Sequence, residues 1–126
     1  ERAEVHAVEQ AATMLSALDR GWRHAAGLKR VTTERRDLMR NPLAGPDLAG
    51  FDAVVMDPPR AGAREQTAAL AETGPPCIAM VSCNPVTFAA DARRLVEGGY
   101  AMGPVTLVDQ FRWSPHVELV SAFTRL

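Results

Sequence analysis

Lysine is almost missing from this chain. Of its 14 basic residues all but Lys29 are arginine, and 15 acids balance them to a net charge of −1. That balance excludes a polycationic nucleic-acid binder. Cysteine is equally scarce. Cys77 and Cys83 lie six residues apart, which makes no CxxC metal pair, and two are too few for a disulfide framework. A reducing cytoplasm is the expected setting. Long hydrophobic runs are absent: none approaches the ~20 residues of a membrane span. No basic-then-apolar leader marks the chain for secretion. No His, Cys and Asp cluster has metal-ligand spacing. No internal repeat, low-complexity segment or domain boundary is evident, and no glycine-rich turn precedes the first apolar segment.

What is present suits one domain of modest size. The chain has 126 residues, 47% of them hydrophobic, enough for a packed core. Arg20, Arg23, Lys29, Arg30, Arg35, Arg36 and Arg40 crowd the first third. Arginine forks match phosphate oxygens, so this is either a phosphate-facing patch or a solvated face, and an arginine-biased codon usage explains it as well.

Strands and helices alternate along the chain. Val5–Val8 reads as a short strand closed by Glu9. Ala11, Ala12, Met14, Leu15 and Leu18 then recur at helical spacing up to about Trp22, with Gly21 and Gly27 as punctuation. Val31-Thr32-Thr33 is a β-branched second strand, with Asp37 four residues on. Residues 41–50 are turn chemistry. Residues 51–56 read as a strand in which Ala53, Val54, Val55 and Met56 form a continuous apolar run, which predicts a central parallel strand buried on both faces, with Asp57 at its end. A helix over 63–72 stops at Gly74-Pro75-Pro76. A strand over 77–82 leads into Cys83, and a helix over 85–97 carries Pro85 at its first turn and ends at Gly98-Gly99. Tyr100–Val108 and Val117–Thr124 complete the pattern as two antiparallel neighbours at one end of the sheet. The alternation predicts an α/β fold with a mostly parallel sheet. Glu9 stands where a ribose-hydroxyl acceptor stands in a nucleoside-binding α/β fold, yet the glycine turn that comes first in such folds is missing. The expectation is a carboxyl-terminal piece of a longer protein.

Each candidate site residue has two readings. Cys83 falls on the turn from a strand into a helix, at the edge where open α/β sheets bind ligands and where a helix amino terminus favours a thiolate nucleophile. A free cysteine is also commonly a small core residue. In Asp57-Pro58-Pro59-Arg60, two prolines hold an acid rigidly at the same edge, either to orient a flat heterocycle or only to end a strand. Glu118, between Val117 and Leu119, is a solvent-facing acid or, partly buried, a base with raised pKa. His116 reads as a structural hydrogen-bonder, and His6 and His24 carry no signal. Phe111 and Trp113 stack on bases or serve as core or lid.

Taken together, DPPRAGA (Asp57–Ala63), VSCNP…TFAADARRL (Val81–Leu95), GGY (Gly98–Tyr100) and VDQF…SPHVEL (Val108–Leu119) closely resemble the RNA uracil-5-methyltransferases, nearest to their bacterial ribosomal-RNA branch. DPPR alone is shared with other methyltransferases; SCNP followed by PHVE at this spacing is specific. The fold this resemblance implies is α/β, a Rossmann-like class I methyltransferase sheet lacking its first strand and glycine-rich turn, with an antiparallel strand pair at the C-terminal end. Residues 1–126 are then the C-terminal portion of the catalytic domain. The implied cofactor is S-adenosyl-L-methionine and the implied partner is RNA, with no membrane. Cys83 matches the nucleophile of the family, Glu118 its base, and Asp57 the DPPR acid in the pocket shared by the target uracil and the cofactor. Glu9 matches the acid that holds the cofactor ribose, and Asp37 the acid near the adenine amino group. Gln110 stands where many members have Met, and Arg112-Trp113-Ser114 replaces a commoner Pro-His-Thr.

In the implied fold the missing strand lies between 5–8 and 51–56. The isolated chain is therefore expected to be weakly active or inactive, and to close the gap by pairing those two strands directly or with another chain. Three rival readings stand beside this one. A base amino-group methyltransferase uses Asp-Pro-Pro but needs no cysteine. A truncated fragment acts only as an interaction or folding unit. A cysteine hydrolase pairs Cys83 with His116, without an oxyanion glycine motif to support it.

Overall fold

A computed structural model of the chain describes residues 3–126. They form two compact units, which divide between Asn41 and Pro42.

The first unit is one βαβ element. Strand β1 (Val5–Glu9) and strand β2 (Val31–Arg35) run parallel, in register from Val5 opposite Val31 to Glu9 opposite Arg35. Helix α1 (Ala12–His24) supplies the crossover that parallel strands require. The His6 ring shares hydrogen bonds with Thr32 Oγ1 at 2.8 Å and Glu34 Oε2 at 3.2 Å, tying the two strands side chain to side chain. The His6 ring and then the Arg36 guanidinium hold the Glu34 carboxyl below its usual range. Gly21 does not break the helix, as its composition suggested; α1 runs through it to His24. Trp22 explains why. Its indole N–H donates to the Lys29 carbonyl at 2.9 Å, fixing the last turn to the chain beyond it. The reversal falls at Gly27, whose φ of 71° is in the left-handed region.

The second unit is a mixed sheet with two helices. After a short 3₁₀ turn (Gly45–Leu48) come β3 (Ala53–Met56), α2 (Arg64–Thr73), β4 (Cys77–Ser82), α3 (Pro85–Glu97), β5 (Tyr100–Met102), β6 (Thr106–Val108) and β7 (Glu118–Arg125). The strand order is β3-β4-β7-β5, with β6 also on β7. β3 and β4 are parallel; β7 runs antiparallel to β4, β5 and β6. Burial alternates along β4, with Ile78, Met80 and Ser82 inside. These join Met56, Leu119 and Phe123 of the neighbouring strands and Leu70, Phe88, Ala92 and Leu95 of the helices in one core. Gly98 lets the helices close in, because a Cβ there would lie 2.5 Å from that of Ala71.

Three expectations change. β3 is the edge of its sheet rather than a strand buried on both faces, and Val55 is 78% exposed. Its apolar run serves two faces, but within this unit the helices cover one. The direct pairing of 5–8 with 51–56 is not made: among the described residues, β1 pairs with β2 and β3 with β4. Each pair is already a parallel ladder closed by its own crossover helix. Finally, Tyr100–Val108 is two strands. Gly103-Pro104-Val105 stand against Ser121-Ala122, a bulge of one extra residue where Pro104 has no N–H to give.

Candidate active site

Cys83 lies in the bend between β4 and α3, half-buried and unpaired with Cys77, which starts the same strand at its far end. The bend is built locally. Ser82 Oγ accepts the Asn84 N–H at 3.2 Å, and Asn84 caps α3 by accepting the Val86 N–H at 3.1 Å. Pro85 follows at the helix start, where its missing N–H costs nothing.

Glu118 is the first residue of β7 and is half-buried. The β4–β7 ladder ends on the pair Ser82–Leu119, so Cys83 and Glu118 are the next residues out on the two strands. Asp57, which is exposed, follows the last residue of β3, and Met56 of that strand is level with Met80 of β4. Three of the expected residues thus share one edge of the five-stranded sheet. Arg60 links two of their loops. Its Nη1 donates to His116 Nδ1 at 3.0 Å, and since a guanidinium cannot accept, that ring nitrogen carries no proton. His116 is in this respect the hydrogen-bonder its sequence suggested.

Glu9 and Asp37 belong to the other unit and are described there. Glu9 ends β1, and its Oε1 accepts the Ala11 N–H at 2.8 Å before α1 begins. Asp37 follows β2, accepts the Met39 N–H at 3.1 Å and faces Arg40 Nε at 3.6 Å. Because β1 and β2 are parallel with Glu9 opposite Arg35, both acids stand at the carboxyl end of that sheet. No group of three His, Cys, Asp or Glu fit to hold a metal occurs among the described residues, and no helix there is long and apolar enough to cross a membrane.

Sequence reasoning passed over Asp91. It is 3% exposed, and its carboxylate receives the Ala63 N–H at 2.8 Å, Arg94 Nη1 at 2.6 Å and Thr67 Oγ1 at 3.3 Å. The signal was there: an acid in the apolar stripe of α3, level with Phe88, Ala92 and Leu95. Asn84 has no role in the motif reading, although Asn before Pro at a helix start is a capping signature.

Comparison with solved structures places the fold. The Pyrococcus abyssi tRNA (uracil-54, C5)-methyltransferase, in complex with S-adenosyl-L-homocysteine, matches 96% of this chain with a TM-score of 0.79 and 29% identity, over 29% of its own length. The mixed sheet is that of a class I S-adenosylmethionine-dependent methyltransferase, in part. More narrowly, residues 23–125 match the tRNA (uracil-5-)-methyltransferase family, and the chain belongs to that family of S-adenosylmethionine-dependent enzymes. An uncharacterized RNA methyltransferase of Mesorhizobium japonicum is 58% identical over 95% of this chain. The 23S rRNA (uracil(1939)-C(5))-methyltransferase RlmD of Alteromonas naphthalenivorans is 38% identical over 98% of it. The chain spans 29% and 26% of the lengths of these two relatives.

Proposed function

We propose that the chain is the C-terminal portion of the catalytic domain of an enzyme that methylates C5 of a uridine in RNA, a ribosomal RNA in the cytoplasm, through a covalent bond from Cys83 to C6. The observation that supports this is the ladder: it ends on the pair Ser82–Leu119, so Cys83 and Glu118 are the next residues along the two chains at the ligand edge. The 38% identity to an enzyme of 23S rRNA supports ribosomal RNA as the substrate class.

Uracil C5 is a poor carbon nucleophile. The Cys83 thiolate adds to C6, and the ring electrons move to C5 and O4 as an enolate. S-adenosylmethionine, when bound, supplies the electrophilic methyl that C5 takes up. Glu118 then accepts the C5 proton; the electrons of that C–H bond restore the C5–C6 double bond as the C6–S bond breaks and the thiolate leaves. Asp57, held by Pro58 and Pro59, orients the ring. The target base has to leave its stack to reach this edge. Trp113, fully exposed, and Phe111, partly so, offer faces for unstacked neighbours on the loop between β6 and β7.

The residues present fit the cofactor. Glu9 ends β1 and Asp37 lies two residues beyond its parallel neighbour β2, and carboxylates there are acceptors of the kind that ribose hydroxyls and an adenine amino group require. In this reading Glu9 would hold the ribose and Asp37 the adenine amino group, and Asp57 would serve both uracil and cofactor.

The test uses the full-length enzyme with ribosomal and transfer RNA transcripts carrying 5-fluorouridine. Fluorine cannot leave as a proton, so the wild-type enzyme is expected to stay bonded to the RNA in detergent, and Cys83→Ala to form no such species. Glu118→Gln is expected to accumulate the adduct on ordinary RNA. Methylation of a base amino group, indifferent to Cys83→Ala, overturns the reading.

A further inference from the structure

The loop that starts at Asp57 is stitched to the first turns of α3 at two points. At its middle, the Arg60 carbonyl accepts two hydrogen bonds, from Asn84 Nδ2 at 2.9 Å and Thr87 Oγ1 at 3.2 Å. At its end, the Ala63 N–H is held by the buried Asp91 carboxylate. Between the two points the loop touches α3 so closely that Gly62, at φ 82°, has no room for a side chain. A Cβ there would lie 2.8 Å from Asp91 Oδ2 and 3.0 Å from Thr87 Cβ.

Asn84 uses both ends of its amide. The oxygen caps α3, and serine caps a helix about as well. Capping therefore does not explain the nitrogen, which reaches across to a carbonyl of another loop. Asn84 also adjoins Cys83, so the contact joins the cysteine bend directly to the stretch running from Asp57 to Arg60. Thr87, one turn on, donates to the same carbonyl.

We infer that Asn84 and Thr87 are positioning residues: they lock the Asp57 loop against the Cys83 bend and so fix where the uracil ring lies relative to the sulfur. This rests on the uracil-methylation reading. Neither residue touches the reacting atoms; both act through the Arg60 carbonyl. Misplacing reacting groups by 1 Å costs on the order of 100-fold in rate.

The test is made in the full-length enzyme with the RNA that the wild type traps. Asn84→Ser keeps a capping oxygen and loses the donor; Thr87→Val keeps the shape and loses the hydroxyl; Thr87→Ser restores it. Adduct formation at saturating RNA and S-adenosylmethionine is expected to slow about tenfold in each of the first two and about 100-fold in their double variant. KM for RNA, the melting temperature and the pH midpoint of the rate stay near wild type, and Thr87→Ser reacts as wild type does. A double variant that reacts within about twofold of wild type, a distance effect too small to count as misplacement, overturns the inference. So does a loss of rate that tracks the fraction folded and vanishes on cooling, or one that shifts the pH midpoint instead. Failure of the wild type to trap any RNA overturns the uracil reading itself, a result distinct from all of these.

Discussion

Trp113 holds a φ of 63°, the only residue other than glycine in the left-handed region among the described residues. For an L-residue that conformation costs roughly 1–2 kcal/mol, and the cost is not recovered by burial, because the side chain is fully exposed. Backbone strain of this kind clusters at functional sites. Trp113→Gly is therefore expected to raise stability by about 0.5–1 kcal/mol in urea denaturation, since glycine relieves the strain but loosens the unfolded chain. The same variant is expected to raise KM for RNA. At this scale the sequence was readable where chemistry is local. Cys83, Asp57 and Glu118 announced themselves by motif and occupy one sheet edge. The second nitrogen bond of Asn84 was not readable, because its partner, the Arg60 carbonyl, is 24 residues away and has no side-chain signature.

Helices were the most legible elements and strand environments the least. The expected range of α3, 85–97, is the range observed, because proline at its start and two glycines beyond its end act through backbone geometry alone. The ladder break at Gly103-Pro104 depends on which strand lies opposite, and the open face of β3 depends on what covers the sheet; neither is written in local periodicity. Gly21 gives a direct check. It sits inside α1, and a Cβ there would meet nothing within 4 Å. Gly21→Ala is expected to stabilise α1 by about 1 kcal/mol, seen as a higher urea midpoint at unchanged slope.

Across the second unit, Arg125 gathers separate elements. Its Nη2 donates to the Leu70 carbonyl at 2.9 Å, near the end of α2, and to Tyr100 Oη at 3.0 Å. Tyr100 Oη in turn donates to the Pro75 carbonyl at 2.8 Å, and the guanidinium lies 4.3 Å from the centre of the Tyr100 ring. A cation beside a helix carboxyl end complements its dipole, and the planar fork serves several acceptors at once. Arg125→Ala is expected to lower stability by about 2 kcal/mol in urea denaturation, with Arg125→Lys recovering only part of it.

The ladder between β4 and β7 has one more consequence. The spacing of Cys83 and Glu118 is set by strand register, not by residues 109–117 that connect β6 to β7. On the proposed mechanism, residues 109–115 can be rewritten to suit a different RNA fold without moving Cys83 or Glu118, whereas His116 has to stay for its hydrogen bond to Arg60.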